Sequence, residues 1–148
     1  MNPLVSFLIP TYNRANLVRQ AIESILSQSY QNIEVIVIDD ASTDDTEDVV
    51  RKIFGGKVRY YKNIVNKGVS YSRNLGLSHA NGKYIGLLDS DDILFEPDCV
   101  EIALDILESN PQIGIFTSDV YCIDLKGNRI NGKTFFQTTI DHRDIELS

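Results

Sequence analysis

The feature that most restricts the fold is an alternation. Short, mostly apolar runs recur at 4–9 (LVSFLI), 33–38 (IEVIVI), 58–62, 84–88 (YIGLL) and 113–117, and an amphipathic stretch lies between each run and the next. Apolar runs of this length read as strands covered on both faces, the habit of parallel sheets. Pro10 is predicted to stop the first of them. In the first amphipathic stretch Leu17, Val18, Ala21, Ile22, Ile25 and Leu26 recur at helical spacing, with Arg19, Gln20, Glu23 and Gln28 on the other side. Ser42, with Asp45 three residues later, predicts an N-cap ahead of Val49, Val50, Ile53 and Phe54, and Gly55-Gly56 closes that helix. A third helix is predicted over 69–80. A fourth has Pro97 in its first turn, an apolar face of Val100, Ala103, Leu104 and Leu107, and a stop at Asn110-Pro111. Buried strands alternating with helices require right-handed crossovers, so the expected fold is α/β: a Rossmann-like, open, mostly parallel sheet with helices on both faces.

At 148 residues the chain suits one domain. The alternation supports a core over 1–118. From 119 to 148 the pattern changes to a hairpin, turning at Lys126, Gly127 and Asn128, and then to a polar tail without a clear period. The expectation is a single domain that forms the front part of a longer protein.

Fourteen basic against twenty-one acidic side chains give a net charge of −7, which argues against a binder of nucleic-acid backbones. Cys99 and Cys122 fit no metal or redox spacing and read as reduced, buried thiols. No secretory leader and no apolar run of spanning length is present in the sequence. The expected location is the cytoplasm.

In open α/β sheets ligands bind beyond the carboxyl ends of the strands, and the unusual polar clusters fall at those ends. The first strand leads into Pro10-Thr11-Tyr12-Asn13-Arg14, the second into Asp39-Asp40, the third is followed by Asn66-Lys67-Gly68, and the fourth leads into Asp89-Ser90-Asp91-Asp92. Three carboxylates within four residues repel one another unless a cation is shared, and hard oxygen donors select Mg²⁺ or Mn²⁺, ions that bind through carboxylates together with substrate phosphates. The same acids would also sit favourably before the N-terminus of the following helix. A carboxylate at position 39, at the strand end, can accept from a ribose hydroxyl or a base N–H, or can bond its own turn, with Asp40 a loop residue beside it. Tyr12 offers a face for a nucleobase or for packing, and Arg73 a bidentate grip on phosphate or a solvated charge.

In order, VSFLIPTYNR, the Gln-Ser-Tyr-x-Asn-Ile-Glu run at 28–34, VIDDASTDDT, NKGVSYSRNLGL, ANGKYIGLLDSDD and Pro97 resemble the family 2 glycosyltransferases over 4–118. The resemblance implies a GT-A nucleotide-sugar-binding domain. It also implies transfer of a sugar from a nucleoside diphosphate, commonly uridine-based, to an acceptor hydroxyl with inversion. By the motifs, Thr11 and Tyr12, with Pro10, would lie against the base, Asp39 would accept its imide N–H beside Asp40, and Arg73 would approach the base or pyrophosphate. Asp89-Ser90-Asp91 matches the D-x-D motif, with Asp91 the direct ligand of Mn²⁺ or Mg²⁺, and Asp89 and Asp92 beside it. Arg14 is a further donor-site candidate. The implied partners are a nucleotide-sugar donor and a glycan or glycolipid acceptor, with peripheral association at the inner face of a membrane. Ala41 stands where the family often has Gly, and Ser72 where it often has Ala. The general base is expected from a later, acceptor-binding segment. Asp119 is not assigned to it, and His79 and His142 read as surface residues.

Two other readings fit the same features. One is a nucleotide-sugar-binding module without transfer activity of its own. The other is a sugar-phosphate nucleotidyltransferase, which would want a glycine-rich phosphate loop where residues 10–14 have no glycine.

Overall fold

The computed structural model describes residues 2–118, 120–124, 130 and 140–141. Asp119, the turn expected at Lys126, Gly127 and Asn128, and His142 lie outside the described residues. The chain divides into two compact units, Met1–Val100 and Glu101–Ser148.

The first unit carries β1 (Val5–Thr11), α1 (Ala15–Leu26), β2 (Ile33–Asp39), α2 (Thr46–Phe54), β3 (Val58–Lys62), α3 (Val69–His79) and β4 (Tyr84–Leu87). The strands form one parallel sheet in the order β3-β2-β1-β4. This is the α/β architecture that the alternation predicts. The core lies in the two central strands: Leu8, Ile9 and residues 35–38 have almost no exposed surface. Side chains alternate between faces. Leu8, Ile36 and Ile38 pack with Leu75 and Ala80, so α3 covers their face, and α1 buries Val18, Ala21, Ile22 and Ile25 on its own packed side. A Cβ at Gly76 would lie 2.5 Å from Ile38 Cδ1, so this glycine lets α3 approach the sheet closely.

Two local expectations are corrected. Pro10 does not stop β1, which continues to Thr11 with Pro10 opposite Ile38. Leu8 O accepts from Leu88 on the β4 side, and Thr11 O accepts from Asp40 on the β2 side. By alternation, the missing N–H of Pro10 points toward β4, whose pairing ended at Leu8, so no ladder bond is lost. Ser42 is not the cap of α2, which begins at Thr46. Its hydroxyl instead accepts from the Asn13 N–H at 2.8 Å.

The β2–α2 loop thereby caps a different helix. Arg14 N donates to Thr46 Oγ1 and Ala15 N to Asp44 Oδ2, while Asn13 Oδ1 accepts from Thr43 N. These bonds satisfy donors around the start of α1 that its own N-cap, Arg14, leaves unbonded by its side chain. Asn13 and Ala41 both hold positive φ, 52° and 68°, at this junction. Burial would raise the Asp44 carboxyl, but bonds from Thr46 and Ala15 outweigh it and hold it below the ordinary range.

Helix α4 (Cys99–Ser109) begins two residues after Pro97 and runs into the second unit. Cys99 at its start is only partly buried and Cys122 is exposed, which corrects the expectation of buried thiols. There β5 (Ile113–Ile115) pairs antiparallel with β6 (Ile140–Asp141) in a separate two-stranded sheet, which corrects the expectation of a fifth parallel strand. Among the described residues no helix is long and apolar enough to cross a membrane.

Candidate functional site

A cleft of about 380 Å³ opens at the carboxyl ends of the strands, wholly within the first unit. Its wall includes Pro10, Thr11, Tyr12 and Arg14 after β1, Asp40 after β2, and Asp89, Ser90 and Asp91 after β4. Eight of the residues singled out in the sequence thus meet at one opening. Asn66, Gly68, Val69 and Ser72 complete it. The first two lie in a polar cluster visible in the sequence, Ser72 stands out there as a departure from the family pattern, and Val69 carries no signal beyond its place at the start of a helix.

The acidic turn is held by arginines. Arg14 Nη1 lies 2.6 Å from Asp91 Oδ1, and Arg73 Nη2 lies 2.6 Å from Asp89 Oδ1. All four side chains keep between a third and a half of their surface exposed. Asp92, whose N–H closes the turn on Asp89 O, is not part of the cleft wall. Partial desolvation and then the charges of Asp91 and Asp89 raise its carboxyl, with Arg14 opposing.

Asp39 and Asp40 are placed differently, although the resemblance puts both near the nucleotide. Asp40 lines the cleft, while Asp39 is fully buried, accepting from Ser42 N at 2.7 Å and from the Tyr60 hydroxyl. The period of two explains this: Asp40 lies on the same side as Ile38, toward α3, and Asp39 on the opposite side. Burial and the bond to Asp39 raise the Tyr60 hydroxyl far above its ordinary range. Asp40 accepts from Lys67 N and Gly68 N at 2.9 and 2.7 Å and from Asn63 Nδ2 at 2.7 Å. Desolvation raises its carboxyl, yet these bonds and one from Ser72 leave it lowered. Asp40 thus ties the start of α3 to the end of β2, and Ser72 adds a hydroxyl to that tie.

Thr11 Oγ1 is buried without a hydrogen-bond partner at the cleft wall, and Arg73 Nε is likewise buried without one. Unspent buried polar groups are costly and mark places where a ligand would supply the bond. Tyr12, by contrast, is nearly half exposed.

Two residues outside the cleft hold its frame. Glu34 Oε1 accepts from Ser6 Oγ and Asn81 N at 2.6 and 2.7 Å, and Oε2 from Arg59 Nη1 and Asn81 Nδ2 at 2.8 and 3.2 Å. This joins β1, β2, β3 and the approach to β4. Gln28, buried, donates to Glu96 O at 2.8 Å and accepts from Val100 N at 3.2 Å, fixing the segment that follows the acidic turn.

The family model described as Glycosyl transferase family 2 matches residues 6–146. The chain is 46% identical over 114 residues to an uncharacterized glycosyltransferase of Rickettsia felis, a match covering 77% of this chain and 19% of that protein. It is 47% identical over 89 residues to the UDP-Glc:alpha-D-GlcNAc-diphosphoundecaprenol beta-1,3-glucosyltransferase WfaP of Escherichia coli, covering 60% of this chain and 36% of the relative. Among solved structures, the mannosyltransferase PcManGT from Pyrobaculum calidifontis in complex with GDP-Man and Mn2+ superposes with a TM-score of 0.71 at 29% identity, over 83% of this chain and 36% of that one. The chain spans about a fifth of the Rickettsia relative and little more than a third of the other two.

Proposed function

This chain belongs to glycosyl transferase family 2, and we propose that it binds a nucleoside-diphosphate sugar, with uridine as the base, for inverting transfer to an acceptor hydroxyl. The observation that carries the reading is the meeting of the 89–91 acidic turn, the Arg14 guanidinium and the Thr11-Tyr12 end of β1 at one cleft, with Arg73, outside the cleft lining, holding Asp89 from α3. The donor name of WfaP supports uridine.

The residues present fit a divalent cation. Asp89 and Asp91 offer hard carboxylate oxygens two positions apart in the turn at the cleft wall, the donor type that hard dications select. Asp91 would hold the ion with Asp89, and Mn²⁺ or Mg²⁺ there would supply Lewis-acid stabilisation of the leaving diphosphate. The protein's own groups do the rest. Tyr12 presents an exposed ring to the base, Thr11 Oγ1 gains the partner it lacks, and Ser90 lies at the base of the diphosphate site. Asp40 shapes the wall by holding the start of α3. Asp39 takes the imide N–H on Oδ2 by displacing the Tyr60 hydroxyl. The general base and the acceptor contacts are assigned to the rest of a longer protein. The acceptor class is a glycan or glycolipid presented at a membrane face, a reading supported by the diphosphoundecaprenol in the name of WfaP.

Calorimetric titration of UDP with Mn²⁺ and then with EDTA tests this. Binding in the micromolar range that needs the metal and is lost in Asp91→Asn is expected. Equal binding with chelator and in Asp91→Asn would overturn the metal assignment.

A further inference from the structure

Arg14 occupies an unfavourable position for a structural arginine. It is the N-cap of α1, where the helix dipole opposes a cation, and no acidic residue stands in the first turn to compensate. Its backbone is fixed nonetheless: its N–H donates to Thr46, and its carbonyl accepts from Leu17 and Val18. Only the half-exposed side chain is free to change partners, and the partner it holds is Asp91. Arg73, the fifth residue of α3, likewise holds a carboxylate of the turn, Asp89, and keeps a buried Nε–H without an acceptor.

The charges set these pairs in competition with metal binding. Three carboxylates and two guanidiniums leave the turn with one net negative charge, nearly neutral. A dication on the same carboxylates makes the cluster positive and brings like charges within a few ångströms, where repulsion in a partly desolvated cleft is strong. A diphosphate removes that conflict, because it accepts from both guanidiniums while sharing the cation.

We propose that Arg14 and Arg73 are exchange partners of the acidic turn: each guanidinium occupies a D-x-D carboxylate until a cation takes it, and then turns to the diphosphate. This inference rests on the donor-site reading above. It makes cation and nucleotide binding cooperative in a particular way. Each arginine competes with the cation when nucleotide is absent and assists the nucleotide when the cation is present. By linkage each ligand raises the affinity of the other by the same factor.

The test measures Mn²⁺ alone, by electron paramagnetic resonance of the free ion, and UDP at saturating Mn²⁺, by calorimetry, in wild type, Arg14→Ala and Arg14→Lys. Arg19→Ala, on the outer face of α1 and paired with Glu23, controls for removal of a charge. Removing a half-exposed ion pair is expected to tighten Mn²⁺ alone about two- to five-fold in Arg14→Ala. Losing a charge-assisted bond to phosphate should weaken UDP about ten-fold or more. Arg14→Lys should fall between in both readings, and Arg19→Ala should match wild type. Opposite signs in the two titrations support the exchange. If Arg14→Ala leaves Mn²⁺ affinity unchanged or weakens it, while wild type still binds Mn²⁺ and UDP, the exchange is wrong and the donor site stands. If wild type binds neither, both fall together.

Discussion

Glu34 offers the sharpest energetic prediction. Its carboxylate accepts four hydrogen bonds from three segments of the first unit. Burial alone would raise its pKa, yet the bonds from Ser6, Asn81 and Arg59 prevail and lower it from 4.5 to about 2. The side chain is only 15% exposed, so solvent screening removes little. A shift of this size corresponds to about 3 kcal/mol of stability carried by the ionised form. Because the folded pKa is depressed, the contribution is complete above the unfolded value of 4.5 and is lost as the pH falls toward about 2. In Glu34→Gln an amide NH₂ must face donors that the carboxylate accepted, so the loss appears already at neutral pH. With a urea slope of roughly 1.5 kcal/mol per molar, the midpoint should drop by about 2 M. Urea unfolding followed by circular dichroism at pH 7, 5, 4 and 3 measures both effects. Wild type should lose stability between pH 5 and 3 more steeply than Glu34→Gln. A variant midpoint within about 0.3 M of wild type at pH 7, or the same acid slope in both proteins, would refute the reasoning.

Three further substitutions follow from the geometry. Ala41 holds φ of 68°, so Ala41→Gly should relieve left-handed strain of about 1–2 kcal/mol against roughly half that in added unfolded-state entropy, and raise the thermal midpoint by a few degrees. A Cβ at Gly82 would meet the Ser6 backbone nitrogen at 2.6 Å, whereas at Gly76 it meets the end of a side chain, so Gly82→Ala should lower the urea midpoint more than Gly76→Ala. Tyr60→Phe frees Asp39 Oδ2 and should tighten UDP several-fold while costing about 1–2 kcal/mol of stability; unchanged or weaker UDP affinity would remove Asp39 from base recognition.

The sheet was legible because its central strands are continuous apolar runs, and the cleft because polar residues cluster where those runs stop. What the sequence left open depends on partners far along the chain. Ser42 has the spacing of a local cap, yet its hydroxyl serves Asn13, twenty-nine residues earlier. Gln28 stands out in the sequence as part of a family pattern and as the polar face of the first helix, whereas it is buried and lies past the helix end. Glu34 stands out only as part of that pattern. Their bonding to Val100, seventy-two residues on, and to Asn81, forty-seven on, gives the physical reason for them. Pro10 reads as a stop until the neighbour opposite its missing N–H is known to end first. The placement of Asp39 and Asp40 turns on a half-period of β2 and on Tyr60, twenty-one residues after Asp39. The arginine partners of the acidic turn, seventy-seven and sixteen residues away in sequence, are brought to it by the start of α1 and by α3.

Crystals of this chain soaked with UDP and Mn²⁺ would test the donor site most directly, read by anomalous scattering at the manganese edge. The account predicts one peak within coordinating distance of Asp91 and Asp89, with the diphosphate on the same ion, the uracil against Tyr12 and both arginines turned from the carboxylates to phosphate. A manganese peak elsewhere, or ordered UDP with Arg14 still on Asp91, would contradict it.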